Sequence, residues 1–244
     1  MSFNEKIILN DGRQMPLLGL GVYKAVGENE VEQAIADAAD AGYRLIDTAS
    51  VYKNEDGVGR GIKALTIPIE ELFVTTKIWN TAQRIGDVED TFNRSLERLG
   101  LDYVDLYLIH WPVPGCYTDT WKALEKLQTQ GRVKSIGVSN FHIHDLEMLK
   151  KVSDVVPAVN QVEFHPLFNQ PELLSYCREK QYCGTGLCAS CPGRLSAQPA
   201  SSGNRKKIPE DYRTDRTSLG SPAGNIRHSQ VRTQRTHQGK CGNL

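Results

Sequence analysis

The sequence lacks several features that would assign it to a class at once. No run of about 18 consecutive apolar residues occurs, so no membrane-spanning helix is predicted. The first residues, MSFNEKIILNDG, lack the charged and then apolar pattern of a secretion signal. The net charge is zero, with 29 basic and 29 acidic residues, which argues against nucleic-acid binding. Six cysteines without the spacing of a disulfide framework fit a cytoplasmic protein.

The zero net charge is the sum of two dissimilar segments. Residues 182–244, here called the C-terminal segment, contain seven Arg and three Lys against three acidic residues. Residues 1–181, the N-terminal segment, contain 19 basic and 26 acidic residues. Large apolar residues in the C-terminal segment stand singly, without the period of a strand or a helix. We therefore predict a folded unit at 1–181 and a basic, disordered tail at 182–244.

Short β-branched runs alternate with amphipathic stretches through the N-terminal segment. Gly100 and Gly131 stand where two helices should end, and Pro171 stands where one should begin. A hairpin with Asp11 and Gly12 at its turn is predicted before the first repeat. Strand–helix repeats of about 25–30 residues indicate a parallel sheet with crossover helices. Strands are predicted at 17–22, 43–47, 72–77, 104–110, 133–139 and 158–163, and helices at 30–41, 56–64, 88–99, 118–130, 142–151 and 171–180.

The position of polar residues distinguishes a barrel from an open sheet. No G-x-G-x-x-G follows the first predicted strand, so the dinucleotide-binding fingerprint of the open fold is missing. A barrel gathers the carboxyl ends of its strands around one mouth. The predicted fold class is α/β, a (β/α)8 TIM barrel truncated to about six βα units plus the hairpin, with two open strand edges. Polar residues stand at the carboxyl ends of five successive predicted strands: Asp47, Lys77, His110, Ser139 with Asn140, and Gln161.

Three of these residues and a nearby tyrosine form a candidate catalytic set. Tyr52 follows Asp47 by five residues and should lie above the same mouth. A phenol titrates near pH ~10, and an adjacent Lys77 ammonium is expected to lower that pKa, while Asp47 keeps Lys77 charged. Tyr52 is then a candidate proton donor, and His110 could orient a carbonyl oxygen by a hydrogen bond. The set suits reduction of a carbonyl group.

Each of these residues also has an ordinary structural interpretation. Tyr52 and Lys77 suit solvated loop positions, Asp47 could cap a helix, and His110 could be a hydrogen-bonded core histidine. Taken singly, the structural interpretation is favoured for each residue. Their placement on consecutive strand ends favours the catalytic interpretation.

Six stretches within residues 5–181 resemble the aldo-keto reductases, in particular small microbial diketogluconate reductases and prostaglandin F synthase-like members. They are GLGVYK, YRLIDTASVYKNEDGVGRGI, LFVTTKIWN, LDYVDLYLIHWP, GRVKSIGVSNF and VNQVEFHP. The resemblance implies a barrel that binds NADPH across its mouth without a Rossmann motif and reduces aldehydes or ketones. It also implies a monomer whose partner is a small carbonyl compound, with no metal.

The resemblance also implies a role for each matching residue. Tyr52 matches the general acid, Asp47 and Lys77 match the residues that tune it, and His110 matches the residue that orients the substrate. Further matches concern cofactor and substrate: Gly21 and Val22 beside the nicotinamide ribose, Asp47 as a further cofactor-binding residue, Ser139, Asn140 and Gln161 at the nicotinamide carboxamide, and Tyr23, His110 and Trp111 around the substrate.

The C-terminal segment does not match the family's seventh strand, phosphate-binding loop or eighth strand. Back-translation from Tyr182 with a shift of one base permits IVVLAYAPLAQGG and, further on, the family-like pieces ALRW, IPKS and RIKEN. We therefore interpret the segment as an out-of-frame (frameshifted) translation of an aldo-keto reductase gene. The chain as written is then expected to bind NADPH weakly and to aggregate. The alternative function is a non-catalytic, degenerate reductase that acts as an interaction protein.

Two other interpretations of the C-terminal segment are weaker. Cys183, Cys188 and Cys191 could bind zinc with His228 or His237, but a single C-x-x-C without a second spaced pair is a weak signal. The arginines could bind nucleic acid, but a single aromatic residue, Tyr212, stands among them. Neither a metal nor a nucleic acid is predicted.

Overall fold

The computed structural model describes residues 5–187, with gaps at 26, 166–167, 169 and 181, and residues 226–229. A two-stranded antiparallel hairpin precedes eight parallel strands that close into a barrel. The hairpin consists of β1 (Lys6–Ile8) and β2 (Gln14–Pro16). The barrel consists of β3 (Leu18–Gly21), β4 (Leu45–Asp47), β5 (Phe73–Ile78), β6 (Val104–Ile109), β7 (Val133–Ser139), β8 (Val159–Glu163), β9 (Cys183–Leu187) and β10 (Ile226–Ser229).

The described helices connect successive strands and form the outer layer. All six predicted helices are present within one residue of the predicted bounds, and the six predicted strands are present within two. Gly100 and Gly131 follow α4 and α5 with positive φ, the left-handed conformation that glycine adopts at low cost. The helices are α1 (Glu30–Asp40), α2 (Glu55–Ala64), α3 (Asn80–Ile85), α4 (Val88–Leu99), α5 (Tyr117–Thr129), α6 (Ile143–Lys150) and α7 (Pro171–Glu179), of which α3 was not predicted.

The barrel class is confirmed, but the expectation of open edges is wrong. Two short pieces of the C-terminal segment, β9 and β10, fill the gap between β8 and β3. Cys183 pairs with Val159 of β8, and Arg227 pairs with Leu18 of β3. Strands pair through backbone N–H and C=O groups, which every non-proline residue carries. A sequence without apolar periodicity can therefore still close a barrel.

The hairpin covers the amino end of the barrel. Leu9 and Met15 are buried in one apolar cluster with Leu45, Phe73 and Leu106, which lie in the amino-terminal halves of β4, β5 and β6. A second cluster lies between the outer faces of the strands and the helices. The amino end is thus filled by apolar side chains, which leaves the carboxyl ends of the strands for polar groups.

None of the described helices has the length and apolar character needed to cross a membrane.

Candidate active site

Asp47, Tyr52, Lys77 and His110 lie together at the carboxyl ends of β4, β5 and β6. Asp47 is the last residue of β4, Lys77 is the fifth residue of β5, and His110 directly follows β6. Tyr52 ends the short 3-10 turn Ser50–Tyr52 above β4. The Lys77 Nζ atom lies 5.3 Å from the centre of the Tyr52 ring, and the Tyr52 and His110 ring centres are 5.6 Å apart. The structure therefore brings all four predicted residues into one cluster.

Lys77 and Asp47 form a buried ion pair beneath Tyr52. The Lys77 side chain is fully buried, and its Nζ donates to Asp47 Oδ1 at 2.5 Å and to the Thr48 carbonyl at 2.8 Å. Gln161 Nε2 donates to the other carboxylate oxygen of Asp47 at 3.0 Å. Burial lowers the pKa of Lys77, and the Asp47 carboxylate opposes that shift because it stabilises the ammonium form. Asp47 thus compensates a positive charge that water cannot reach.

The Tyr52 pKa differs from the sequence-based expectation. Burial raises the pKa of Tyr52, and the negative charge of Asp47 raises it further. The expected net lowering of this pKa is wrong because the burial of the phenol, together with the Asp47 charge, outweighs the opposite effect of the Lys77 ammonium, which itself donates to Asp47 and Thr48. Tyr52 is therefore held in its protonated form, with a proton available for donation.

His110 is held as a neutral imidazole. Burial and the positive charge of Lys77 lower the pKa of His110 to about 3, although Asp47 acts in the opposite direction. Its Nδ1 atom is buried and has no hydrogen-bond partner among the described residues. The Trp79 ring meets His110 edge-on, with ring centres 5.1 Å apart. A neutral imidazole has one N–H, so His110 can donate a single hydrogen bond at neutral pH.

Ser139 ends β7 and Asn140 follows it, whereas Gln161 is the middle residue of β8 and not its end as predicted. Asn140 Nδ2 donates to the His110 carbonyl at 3.0 Å and to Ser139 Oγ at 3.1 Å, while Ser139 Oγ donates to the Gln161 carbonyl at 2.9 Å. Asn140 adopts a positive φ of 62°, a conformation that asparagine tolerates better than most residues. One hydroxyl and two carboxamides can both donate and accept. This set of groups fits the carboxamide of a nicotinamide cofactor.

Four further predicted residues surround the mouth. Gly21 of β3 pairs with Asp47, and the Val22 N–H donates to the Asp47 carbonyl at 3.1 Å. Tyr23 is 51% exposed and packs on Tyr52 with ring centres 4.9 Å apart. Trp111 is 46% exposed, and its carbonyl accepts from Gln83 Nε2 at 3.1 Å. Two exposed aromatic rings near a buried polar cluster are suited to contact a substrate.

Three residues that support the cluster are not predicted from the sequence. Trp79 contacts His110, and Asn54 and Glu55 are buried polar residues directly after the Tyr52 turn. One signal could have identified Glu55. It stands three and seven residues before Val58 and Ile62, on the buried face of α2.

The residues considered as zinc ligands are only partly described. Cys183 is a buried residue of β9, whereas Cys188, Cys191 and His237 lie outside the described residues. His228 lies in β10, where only the backbone is described. Within the described part of the chain, no three His, Cys, Asp or Glu side chains are grouped as metal ligands.

Comparison with known proteins agrees with the fold. A sequence profile of the Aldo/keto reductase family matches residues 17–203. The chain is 51% identical over 177 residues to the glyoxal reductase of Bacillus subtilis (strain 168), covering 72% of this chain and 64% of the relative. It is 52% identical over 169 residues to the methylglyoxal reductase DkgA of Salmonella typhimurium, covering 68% and 60%. The chain thus spans less than two thirds of the length of these relatives.

Solved structures show the same relationship. The crystal structure of an aldo/keto reductase from Brucella melitensis has a TM-score of 0.78 and 40% identity, over 93% of this chain and 88% of that one. An aldo-keto reductase of Bombyx mori in complex with NADP has a TM-score of 0.77 and 32% identity, over 95% and 84%. With its barrel and its strand-end residues, the chain therefore belongs to the aldo/keto reductase family.

Proposed function

We propose that this protein reduces an aldehyde or a ketone to an alcohol, with Tyr52 as the proton donor and NADPH as the hydride source. The observation that carries the proposal is the Tyr52 phenol lying above the buried Lys77–Asp47 pair. NADPH, when bound, would supply a hydride to the carbonyl carbon. The nicotinamide would be held by Ser139, Asn140 and Gln161, and its ribose would lie beside Gly21, Val22 and Asp47.

The remaining steps follow from the chain's own residues. The neutral His110 donates one hydrogen bond to the carbonyl oxygen and so fixes the direction of the C=O bond. As negative charge develops on that oxygen, Tyr52 transfers its hydroxyl proton to it, which gives the alcohol and a phenolate. The Lys77 ammonium, 5.3 Å from the ring centre, stabilises the phenolate until a proton returns. Tyr23 and Trp111 cover the apolar side of a small substrate.

The experiment uses the purified full chain, NADPH and methylglyoxal, chosen because a relative is named as a methylglyoxal reductase. Loss of the absorbance of reduced nicotinamide measures turnover, and NADH in a parallel reaction tests the choice of cofactor. Tyr52→Phe removes only the hydroxyl, so we expect the rate to fall by about 10²–10⁴, the usual contribution of a general acid. Equal rates for both proteins would refute the role of Tyr52. No turnover by the unmodified chain would favour the non-catalytic, degenerate reductase.

The proposal includes a monomeric, cytoplasmic protein that acts on small carbonyl compounds and not on nucleic acid. Size-exclusion chromatography with light scattering tests the monomer, since a dimer has twice the mass. Gel-shift titration with duplex DNA tests the absence of nucleic-acid binding.

A further inference from the structure

Glu55 is a buried carboxylate that the proposed mechanism does not use. It is the first residue of α2, three positions after Tyr52, and is only 1% exposed. A buried carboxylate needs several donors to replace the water that it loses. The contacts of Glu55 therefore show what this part of the fold is built to hold.

The Glu55 carboxylate connects three elements. Its Oε1 atom accepts from the Thr76 hydroxyl of β5 at 2.7 Å. Its Oε2 atom accepts from Ser95 at 3.2 Å and from Arg98 Nε and Nη2 at 2.9 and 2.6 Å, both residues being on α4. Thr76 immediately precedes Lys77 in β5, and successive strand residues point to opposite faces. Glu55 thus contacts β5 on its outer face, at Thr76, and the next residue, Lys77, lies in the site.

The conformation of the turn that carries Tyr52 is restrained on both sides. Lys53 follows Tyr52 with a φ of 56°, a left-handed conformation that is costly for a residue other than glycine. On its other side, Asn54 Nδ2 donates to the Val22 carbonyl at 2.9 Å, and Asn54 Oδ1 accepts from Thr48 at 2.8 Å. Asn54 fixes the turn to the ends of β3 and β4, and Glu55 fixes it to β5. A strained turn keeps its conformation only when its surroundings hold it in this way.

We propose that Glu55 is a positioning residue for Tyr52. Through its hydrogen bond with Thr76, the Glu55 carboxylate sets the distance between the Tyr52 phenol and Lys77, so that the phenol can donate its proton. The inference rests on the proposed function. Glu55 does not touch the reacting atoms, and it acts through the turn and the strand. Its negative charge also raises the pKa of Lys77, in the same direction as Asp47.

The variant that tests the link most directly is Thr76→Val, because it removes one hydroxyl and leaves the Glu55–Arg98 ion pair in place. Thr75→Val is the matched control. Thr75 is the adjacent buried residue of β5, and its hydroxyl has no hydrogen-bond partner among the described residues. Glu55→Gln is the stronger variant, and Thr76→Val keeps the test valid if Glu55→Gln does not fold.

Two measurements are made on each variant. Steady-state kinetics with NADPH and methylglyoxal give kcat and KM. NMR of the cofactor-free protein with ¹³C-labelled tyrosine rings gives the Tyr52 resonance, assigned by its absence in Tyr52→Phe. We expect Thr76→Val to lower kcat about tenfold, the lower end of the effect of losing a hydrogen bond to a charged group, with KM unchanged and the Tyr52 resonance shifted. For Glu55→Gln we expect a loss of about 100-fold. Thr75→Val should match the unmodified protein in both measurements.

The Tyr52 resonance decides the inference even if the proposed function fails. A chain without reductase activity refutes the function, and a shifted resonance in Thr76→Val alone would still support the positioning role. An unshifted Tyr52 resonance in Thr76→Val overturns the inference, whatever the rate. An equal shift in Thr75→Val also overturns it, because the hydrogen bond to Glu55 would then not be the cause.

Discussion

Replacing Asp47 with Asn should destabilise the protein strongly, because it leaves Lys77 buried without a negative charge. Asn has nearly the shape of Asp, so packing is retained. The Lys77 ammonium would keep the Thr48 carbonyl at 2.8 Å as a neutral acceptor. Gln161 Nε2, which donates to Asp47 at 3.0 Å, would compete with Lys77 for the single amide oxygen. The substitution therefore removes one charge and also one acceptor.

The magnitude follows from the burial of the pair. Breaking a buried ion pair by removing one partner costs about 3–5 kcal/mol. For a protein of this size, 1 kcal/mol corresponds to a change of roughly 2–4 °C in the unfolding midpoint, so the midpoint should fall by roughly 6–20 °C. The matched control is Glu32→Gln, which breaks the Glu32–Arg60 pair on the outer helices, where the side chains are 20% and 66% exposed. An exposed pair of that kind contributes about 0–1 kcal/mol.

The pH dependence has a definite sign. A lowered pKa means that the folded state binds fewer protons at Lys77 than the unfolded state does. The contribution of Lys77 to the free energy of unfolding therefore rises with pH between its folded pKa and the unfolded lysine pKa of about 10.4. Without Asp47 the pKa of Lys77 falls further. The loss in free energy of unfolding caused by Asp47→Asn should therefore become smaller as the pH is raised towards the unfolded lysine pKa. Urea unfolding followed by circular dichroism at several pH values measures it. A loss no larger than that of Glu32→Gln, or a deficit that grows with pH, would refute the buried-charge argument.

Two further predictions concern His110 and the C-terminal segment. Because the pKa of His110 is lowered to about 3, this histidine should lower the free energy of unfolding as the pH falls from about 6.5 to about 3, and His110→Gln should abolish that loss. The NMR signal of His110 should stay constant between pH 5 and 8 in the folded protein and should titrate in urea. Titration in the folded state would contradict the prediction. The nucleotide sequence around codons 178–186 should show a shift of one base. A protein translated in the restored frame should reduce methylglyoxal faster than this chain. An intact reading frame, together with peptides of residues 182–244 found by mass spectrometry, would refute the shift.

The repeats of the N-terminal segment were predictable because their side chains follow the periods of strands and helices. Val133–Ser139 and Val88–Leu99 have the predicted bounds, since β-branched residues favour the first and an apolar stripe the second. The strands β9 and β10 carry no such pattern. They pair with β8 and β3 through the backbone, so only the completed barrel reveals them.

The sequence by itself determined the barrel class, the strand ends and the four residues that meet there, because strand period and the order of parallel strands place those residues at one mouth. Only the tertiary structure decided the direction of the Tyr52 pKa, since this depends on the burial of the phenol and on the acceptors that Lys77 finds. It also decided the contacts of Glu55 with Thr76 and Arg98, which are 21 and 43 residues away along the chain. Charge effects depend on distance and solvent access, and both are set by packing between distant parts of the chain.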